Sequence, residues 1–274
     1  MLKIILILTV ILCSTISLAQ YSFQLARPFI KYESAFFNDS VKVDLKFAQQ
    51  GAKIYYMVNN EMPLDNFDDP SEKNLLYKKA IVFKKPFTTF KAKVFCKGFK
   101  PSETIELSFA GQGKQIKKIT STSPDKKYTG SGDSTLFDNK GGIENINSKT
   151  WMGFYTDSIN FVIELNKKET VNSILLSFLE NETSWIFLPE LILVYYYDES
   201  ENAFVPFGRE VLFHEEKSPD NLNNNINFRF IFPKLENIKT QRLMIDISTV
   251  KKMPEWHEAK GQQAWCFIDE IKVY

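Results

Sequence analysis

From Phe29 to Phe109 the apolar residues fall in short alternating segments: Ser40 to Phe47, Lys53 to Val58, Ala80 to Phe83, Thr88 to Cys96 and Thr104 to Phe109. A period of two marks strands with one face buried. In Lys91-Ala92-Lys93-Val94-Phe95-Cys96 lysines alternate with apolar residues and then give way to an apolar end, as half-buried antiparallel strands do. Asn59-Asn60 with Met62-Pro63, and Gly98 with Pro101-Ser102, supply turns. Several such strands at close spacing predict a small sandwich.

Residues Ala110 to Pro124 change to Gly, Gln, Lys, Ser and Thr with few aliphatics, which reads as a linker. Beyond it, runs rich in Ile, Val, Phe and Tyr recur at Ile159 to Leu165, Val171 to Leu179, Leu191 to Tyr197, Ile226 to Phe232, Arg242 to Ile247 and Ala264 to Tyr274. They show no sustained helical period, so a second, larger β-sandwich is expected. Asp220-Asn221-Leu222-Asn223-Asn224-Asn225 reads as a polar loop.

The amino terminus has a different pattern. Ile4 to Leu12 is apolar behind Lys3, and Ser14 to Ser17 with Leu18-Ala19-Gln20 follows. The run is well short of the roughly 20 residues that cross a bilayer, and it fits a secretory signal cleaved after Ala19. Bulky Leu12 precedes Cys13 where lipidation needs a small residue, so simple export is expected, to the periplasm, the cell surface or the medium. The predicted order is a signal at 1–19, a small sandwich at 20–110, a linker at 111–124 and a larger sandwich at 125–274. No later segment is apolar for long enough to span a membrane, and a monomer is expected.

Lys and Arg number 34 against 33 Asp and Glu, interleaved, which argues against a nucleic-acid partner. Lys114, Lys117, Lys118, Lys126 and Lys127 read as a solvated stretch of the linker. Once a leader is removed, Cys96 and Cys266 remain, in separate predicted domains, and both read as small apolar fillers. Two histidines, His214 and His257, are too few for a histidine metal centre.

Two resemblances extend this reading. Lys53-Ile54-Tyr55-Tyr56-Met57-Val58-Asn59-Asn60 with Pro63, Leu76-Tyr77-Lys78-Lys79-Ala80-Ile81 and Phe90 to Ser102 resemble the small immunoglobulin-like sandwich that follows the catalytic barrel of chitobiases and β-hexosaminidases. That resemblance implies a spacer. Leu136-Phe137-Asp138-Asn139-Lys140-Gly141-Gly142, Trp151-Met152-Gly153-Phe154, Phe161 to Leu165, Phe178-Leu179-Glu180, Ser184 to Pro189 and Pro254 to Tyr274 resemble a discoidin, or coagulation factor C-type, domain. This resemblance implies an eight-stranded jelly roll whose loops at one end bind glycan, with a structural calcium ion near the joined termini. The fold class is thus all-β: a small immunoglobulin-like sandwich followed by a discoidin-type jelly roll.

A strand has little reason to carry Asp269-Glu270 between Ile268 and Ile271 unless a carboxylate meets a cation or a buried donor. Calcium takes roughly six to eight oxygen ligands. The turn Asp138-Asn139-Lys140-Gly141-Gly142 offers a carboxylate and carbonyls, and Glu270 arrives from the last strand, so Asp138, Asn139, Gly141 and Glu270 are the expected calcium ligands. The alternative is that Asp138 caps a turn and Glu270 is exposed or salt-bridged.

Sugar rings need an aromatic platform with polar groups around it. Trp185 with Glu180, Asn181 and Glu182 makes one candidate cluster, and Trp256 with His257 and Gln262 another. Trp151 and Trp265 are flanked by apolar positions and read as core; His257 has the alternative role of bonding a neighbouring loop.

No Gly-x-Ser-x-Gly elbow, P-loop or dinucleotide fingerprint is present. Successive strand residues face opposite ways, so Asp269 and Glu270 are not expected to embrace one substrate. A leader directly before the first sandwich leaves no expected room for a barrel of roughly 250 residues. The expectation is a non-catalytic exported glycan-binding protein. Its partner would be a glycan or polysaccharide, with a glycoside hydrolase or envelope protein as further candidates. The alternatives are an envelope assembly module and the detached tail of a hexosaminidase system.

Overall fold

The computed structural model describes residues 23–58, 75–143, 145–214 and 227–274. The proposed leader, the Asn59-Asn60 and Pro63 turn and the Asp220 to Asn225 loop lie outside them. Within the described residues the chain forms two compact units, one built from 23–30, 45–58, 75–79 and 91–106, the other from 31–44, 80–90, 107–143, 145–214 and 227–274.

The early strands are β1 (Phe29–Lys31), β2 (Val41–Lys46), β3 (Lys53–Val58), β4 (Leu75–Leu76), β5 (Ile81–Phe83), β6 (Phe87–Phe95) and β7 (Ile105–Ala110). They form a three-stranded sheet ordered β1-β2-β5 and a four-stranded sheet ordered β4-β3-β6-β7. Period-two patterning decides the faces: Val41, Val43 and Leu45 of β2 are buried while Lys42 and Lys46 are exposed. On β6, Phe90, Ala92 and Val94 are buried as expected, but Lys91 and Lys93 are buried too. Burial of the Lys91 ammonium is offset by the ion pair of its Nζ with Glu106 at 3.1 Å.

The later strands are β8 (Ile116–Ser121), β9 (Met152–Phe154), β10 (Ser158–Val171), β11 (Ile174–Glu180), β12 (Leu191–Asp198), β13 (Ala203–Val211), β14 (Asn227–Ile231), β15 (Lys234–Leu235), β16 (Ile238–Ser248) and β17 (Cys266–Val273). Two sheets result, ordered β15-β13-β12-β16-β10-β8 and β14-β11-β17-β9. One core joins their inner faces: Phe161, Ile163, Val194, Leu243 and Ile245 from the first meet Met152, Leu176, Phe178, Ile268 and Ile271 from the second. Each such side chain contributes about 1.5–3 kcal/mol by leaving water. Among the described residues the sandwich therefore carries two more strands than the eight that the resemblance implies.

Four of these strands, β8, β9, β13 and β15, lie outside the expected runs, and β8 and β13 show why. The segment read as a linker contains β8, whose Ile119 enters the core while Lys117 and Lys118 stay exposed, and which pairs with β10. Strand β13 carries Pro206 and Gly208, residues that argue against a central strand. It tolerates them because β12 pairs along its length on one side while β15 meets Gly208 and Arg209 on the other, leaving Pro206 no donor to supply there. Cys266 is a buried free thiol in this core, where burial pushes its pKa up to about 12, and Cys96 is free as well.

Candidate functional site

Two loop systems beside β17 hold most of the residues singled out by sequence. In the first, a 3-10 turn (Asp133–Phe137) ends at Asp138, whose Oδ1 accepts the Lys140 N–H at 3.0 Å. The chain then reverses through Asn139 and Gly141, both with positive φ, 61° and 72°. A Cβ at Gly142 would meet the Trp151 ring at 2.1 Å, so the loop lies flat on that fully buried indole, whose Nε1 donates to the Ile143 carbonyl at 2.7 Å. Trp151 is core, as its apolar neighbours implied.

Strand β17 meets this loop with both carboxylates. Ser177 of β11 pairs with Glu270 and Phe178 with Ile268, so Asp269 is the extra residue of a β-bulge. Cys266 and Ile268 face the core before the bulge and Ile271 and Val273 after it. Asp269 and Glu270 consequently both leave the core face, which overturns the expectation that they point opposite ways. Asp269 accepts the Gly142 N–H, and Glu270 accepts the Asn139 N–H at 3.0 Å. Burial raises the Asp269 carboxyl to about 7 against the bonds from Ser177 and Gly142.

The expected calcium ligands are thus gathered, but a cation of the protein's own stands among them. Lys272 Nζ lies 3.4 Å from Glu270 Oε1, donates to Asn139 Oδ1 and sits 5.1 Å from the Phe36 ring centroid. Burial pushes Glu270 up and Lys272 down, and the attraction between them opposes both shifts. Asn139 Nδ2 donates to Asn38 Oδ1 at 2.9 Å, so this side chain is spoken for at both ends. These residues do not fit calcium. The ion requires about six to eight oxygens, whereas the ammonium takes up the carboxylate and the amide oxygen, and an aromatic face stands on another side. A positive charge about 4 Å from that ammonium would also meet repulsion of about 4 kcal/mol per unit charge at an effective dielectric of about 20. Asp138 caps its turn and Glu270 is salt-bridged, the alternative raised from sequence.

The second system joins residues 181–187 to 250–265. Trp265 N–H donates to the Trp185 carbonyl at 2.8 Å, Phe187 N–H to the Trp265 carbonyl at 3.0 Å and Ala264 N–H to the Val250 carbonyl at 3.0 Å. His257 is buried between the loops: its Nδ1 accepts the Ala259 N–H at 3.1 Å, which leaves Nε2 to donate to the Glu182 carbonyl at 3.0 Å. Asn181 accepts the Ser184 N–H at 3.1 Å as a turn cap. Glu180 pairs with Arg229 at 2.9 Å. Of the expected sugar ligands, His257 and Asn181 therefore build the loops, and Glu180 ties β11 to β14.

Trp185, Trp256 and Gln262 keep a share of surface. Trp185 sits at φ 64°, a left-handed conformation costly for a bulky residue, with its N–H held by the Glu182 carbonyl at 2.8 Å. Its half-buried ring and that of Trp256 pack on one apolar base of Phe187, Val250, Met253, Ala259 and Ala264. Gln262 is exposed beside them. Trp265, expected in the core, is half-buried instead: its ring lies 4.9 Å from that of Tyr155, which is 46% exposed, and 5.3 Å from Tyr128. Sequence reasoning missed Tyr155 and Tyr128; an aromatic residue beside turn residues, Tyr155 before Thr156-Asp157, was the available signal.

No protein-family profile matches the chain. No curated protein matches it. Solved structures that align with it include a family 32 carbohydrate-binding module from Streptococcus pneumoniae EndoD, at 16% identity and TM-score 0.37, covering 60% of this chain and 96% of the other. The CBM32 of AlyQ, solved in complex with 4,5-unsaturated mannuronic acid, aligns at 10% identity and TM-score 0.35, covering 60% and 98%. The GH31 CBM32-2 bound to GalNAc aligns at 11% and 0.37, covering 59% and 99%. At these scores the fold of this chain rests on its own strand order. Among the described residues no helix is long and apolar enough to cross a membrane, and no group of three or more His, Cys, Asp or Glu side chains forms a metal cluster.

Proposed function

We propose that the loops 181–187 and 250–265 bind carbohydrate and that the chain is an exported glycan-binding protein without bond-breaking chemistry of its own. The observation that carries this reading is the pair of half-buried indoles, Trp185 and Trp256, set on one apolar base while the polar groups beneath them are used to brace the loops. A flat apolar ring in a braced loop suits the CH face of a pyranose, and the exposed Gln262 suits its hydroxyls. The strained backbone at Trp185 points the same way, since such strain persists where a side chain must be aimed. N-acetylhexosamine and galactose-type sugars are the first candidates, in keeping with the discoidin-like residues. Asp269 and Glu270 support binding without hydrolysis, because both are buried beneath the glycine loop and out of reach of a sugar.

A single shallow site of this kind holds sugar with about 4–8 kcal/mol, micromolar to millimolar, so repeated ligands would be needed for retention. The test is a glycan array probed with the native chain and with Trp185→Gly and Trp256→Ala. Signal lost in both variants with the circular dichroism unchanged is expected; a native chain that retains no glycan on the array, or variants that bind as well as native, would overturn the reading. The same array competed with free sugar separates this reading from an assembly module, whose protein partner free sugar would not displace.

A further inference from the structure

The loop at 138–142 and strand β17 are distant in sequence, and a buried carboxylate, amide oxygen and aromatic face converge between them on one ammonium. We propose that Lys272 is an internal cation: its ammonium ties residues 138–142 to β17 and to the segment holding Asn38 and Phe36, and so makes this part of the sandwich independent of any divalent metal.

Three features carry this. The ammonium is enclosed, with the Lys272 side chain 5% and the Glu270 side chain 2% exposed, so the pair is part of the interior. Its neighbours suit a lysine: a carboxylate for the charge, an amide oxygen for one N–H and the Phe36 ring for a cation–π contact. The loop is also shaped around this pairing. Asn139 turns through a left-handed conformation that lets its backbone N–H bond Glu270 while its side chain reaches Lys272 and Asn38. A second positive ion cannot share these groups without displacing the first.

The inference stands apart from carbohydrate binding and is tested without it. In the native full-length chain, amide exchange of residues 139–142 and the thermal midpoint are compared in millimolar calcium and in a chelator; both are expected to agree, the exchange rates within about twofold. Exchange that speeds about tenfold or more in chelator, or one-to-one calcium binding by calorimetry, would overturn the proposal. In Lys272→Met, which keeps the stem and removes the charge, exchange at Asn139 is expected to rise about tenfold or more in both buffers. Native-like exchange at Asn139 in that variant would equally overturn it. The native-protein comparison needs no variant and decides by itself.

Discussion

The loop at 138–142 and the loop pair at 181–187 and 250–265 both lean on β17, yet they spend their side chains differently. In the first, the charged groups turn inward: Asp269, Glu270 and Lys272 are buried and bonded to the loop backbone or to each other. In the second, His257 and Asn181 make the bracing bonds, Glu182 is buried with them, and aromatic rings are left part exposed above. Charge concentrated in one place is therefore no guide to a binding site here, because burial has already spent it on structure. The braced rings are the better candidate, since apolar surface left in a rigid loop has no structural use of its own.

The contrast can be broken first at Glu270. Glu270→Ala strands a buried ammonium and is expected to cost about 3–5 kcal/mol in urea unfolding, while the folded protein still binds its glycan. Loss of glycan binding in protein shown to be folded would merge the two regions into one site.

Asp269→Asn probes the same region by pH. Burial raises the folded-state carboxyl to about 7 from its ordinary 3.8, so the native state holds a proton that the unfolded chain releases in that window. Native stability from this group is accordingly present below about pH 4 and is lost as pH rises through about 7. The amide keeps an oxygen for the Gly142 N–H, so its advantage over native should grow across that window by as much as about 4 kcal/mol. A difference that stays flat between pH 4 and 8 contradicts the burial argument.

His257→Ala removes a brace from the other region, leaving the Ala259 N–H without its partner and the Glu182 carbonyl with the Trp185 N–H alone. A loss of about 1–3 kcal/mol is expected, with weaker sugar binding because both indoles lose support. Titration calorimetry showing native affinity would confine His257 to stability alone. The smallest stability effect belongs to Trp185→Gly, where glycine accepts the positive φ and a half-buried ring is lost: within about 1 kcal/mol by denaturation, yet with affinity reduced about tenfold or more.

Much of the strand content was readable from the apolar runs. Strands β3, β6, β12 and β17 fall close to their apolar runs, since each buries one face or both and the residue period reports it. Edge strand β8 was not readable as such, because an exposed edge needs few aliphatics and Lys117 and Lys118 looked like linker. The bulge at Asp269 was written in the chain as a slip of phase, Cys266 and Ile268 giving way to Ile271 and Val273, but reading it required knowing where the strand's partner lay.

By itself the chain determined that β strands would form and that the acidic pair of the last strand would have to be satisfied within the fold, because local periodicity and the cost of burying charge belong to the residues themselves. Which cation answers Glu270, and which tryptophans keep a face to water, was decided by tertiary structure. Lys272, Asn139 and Phe36 are far apart along the chain, and only the packing of loop against strand brings an ammonium to the carboxylate and amide oxygens.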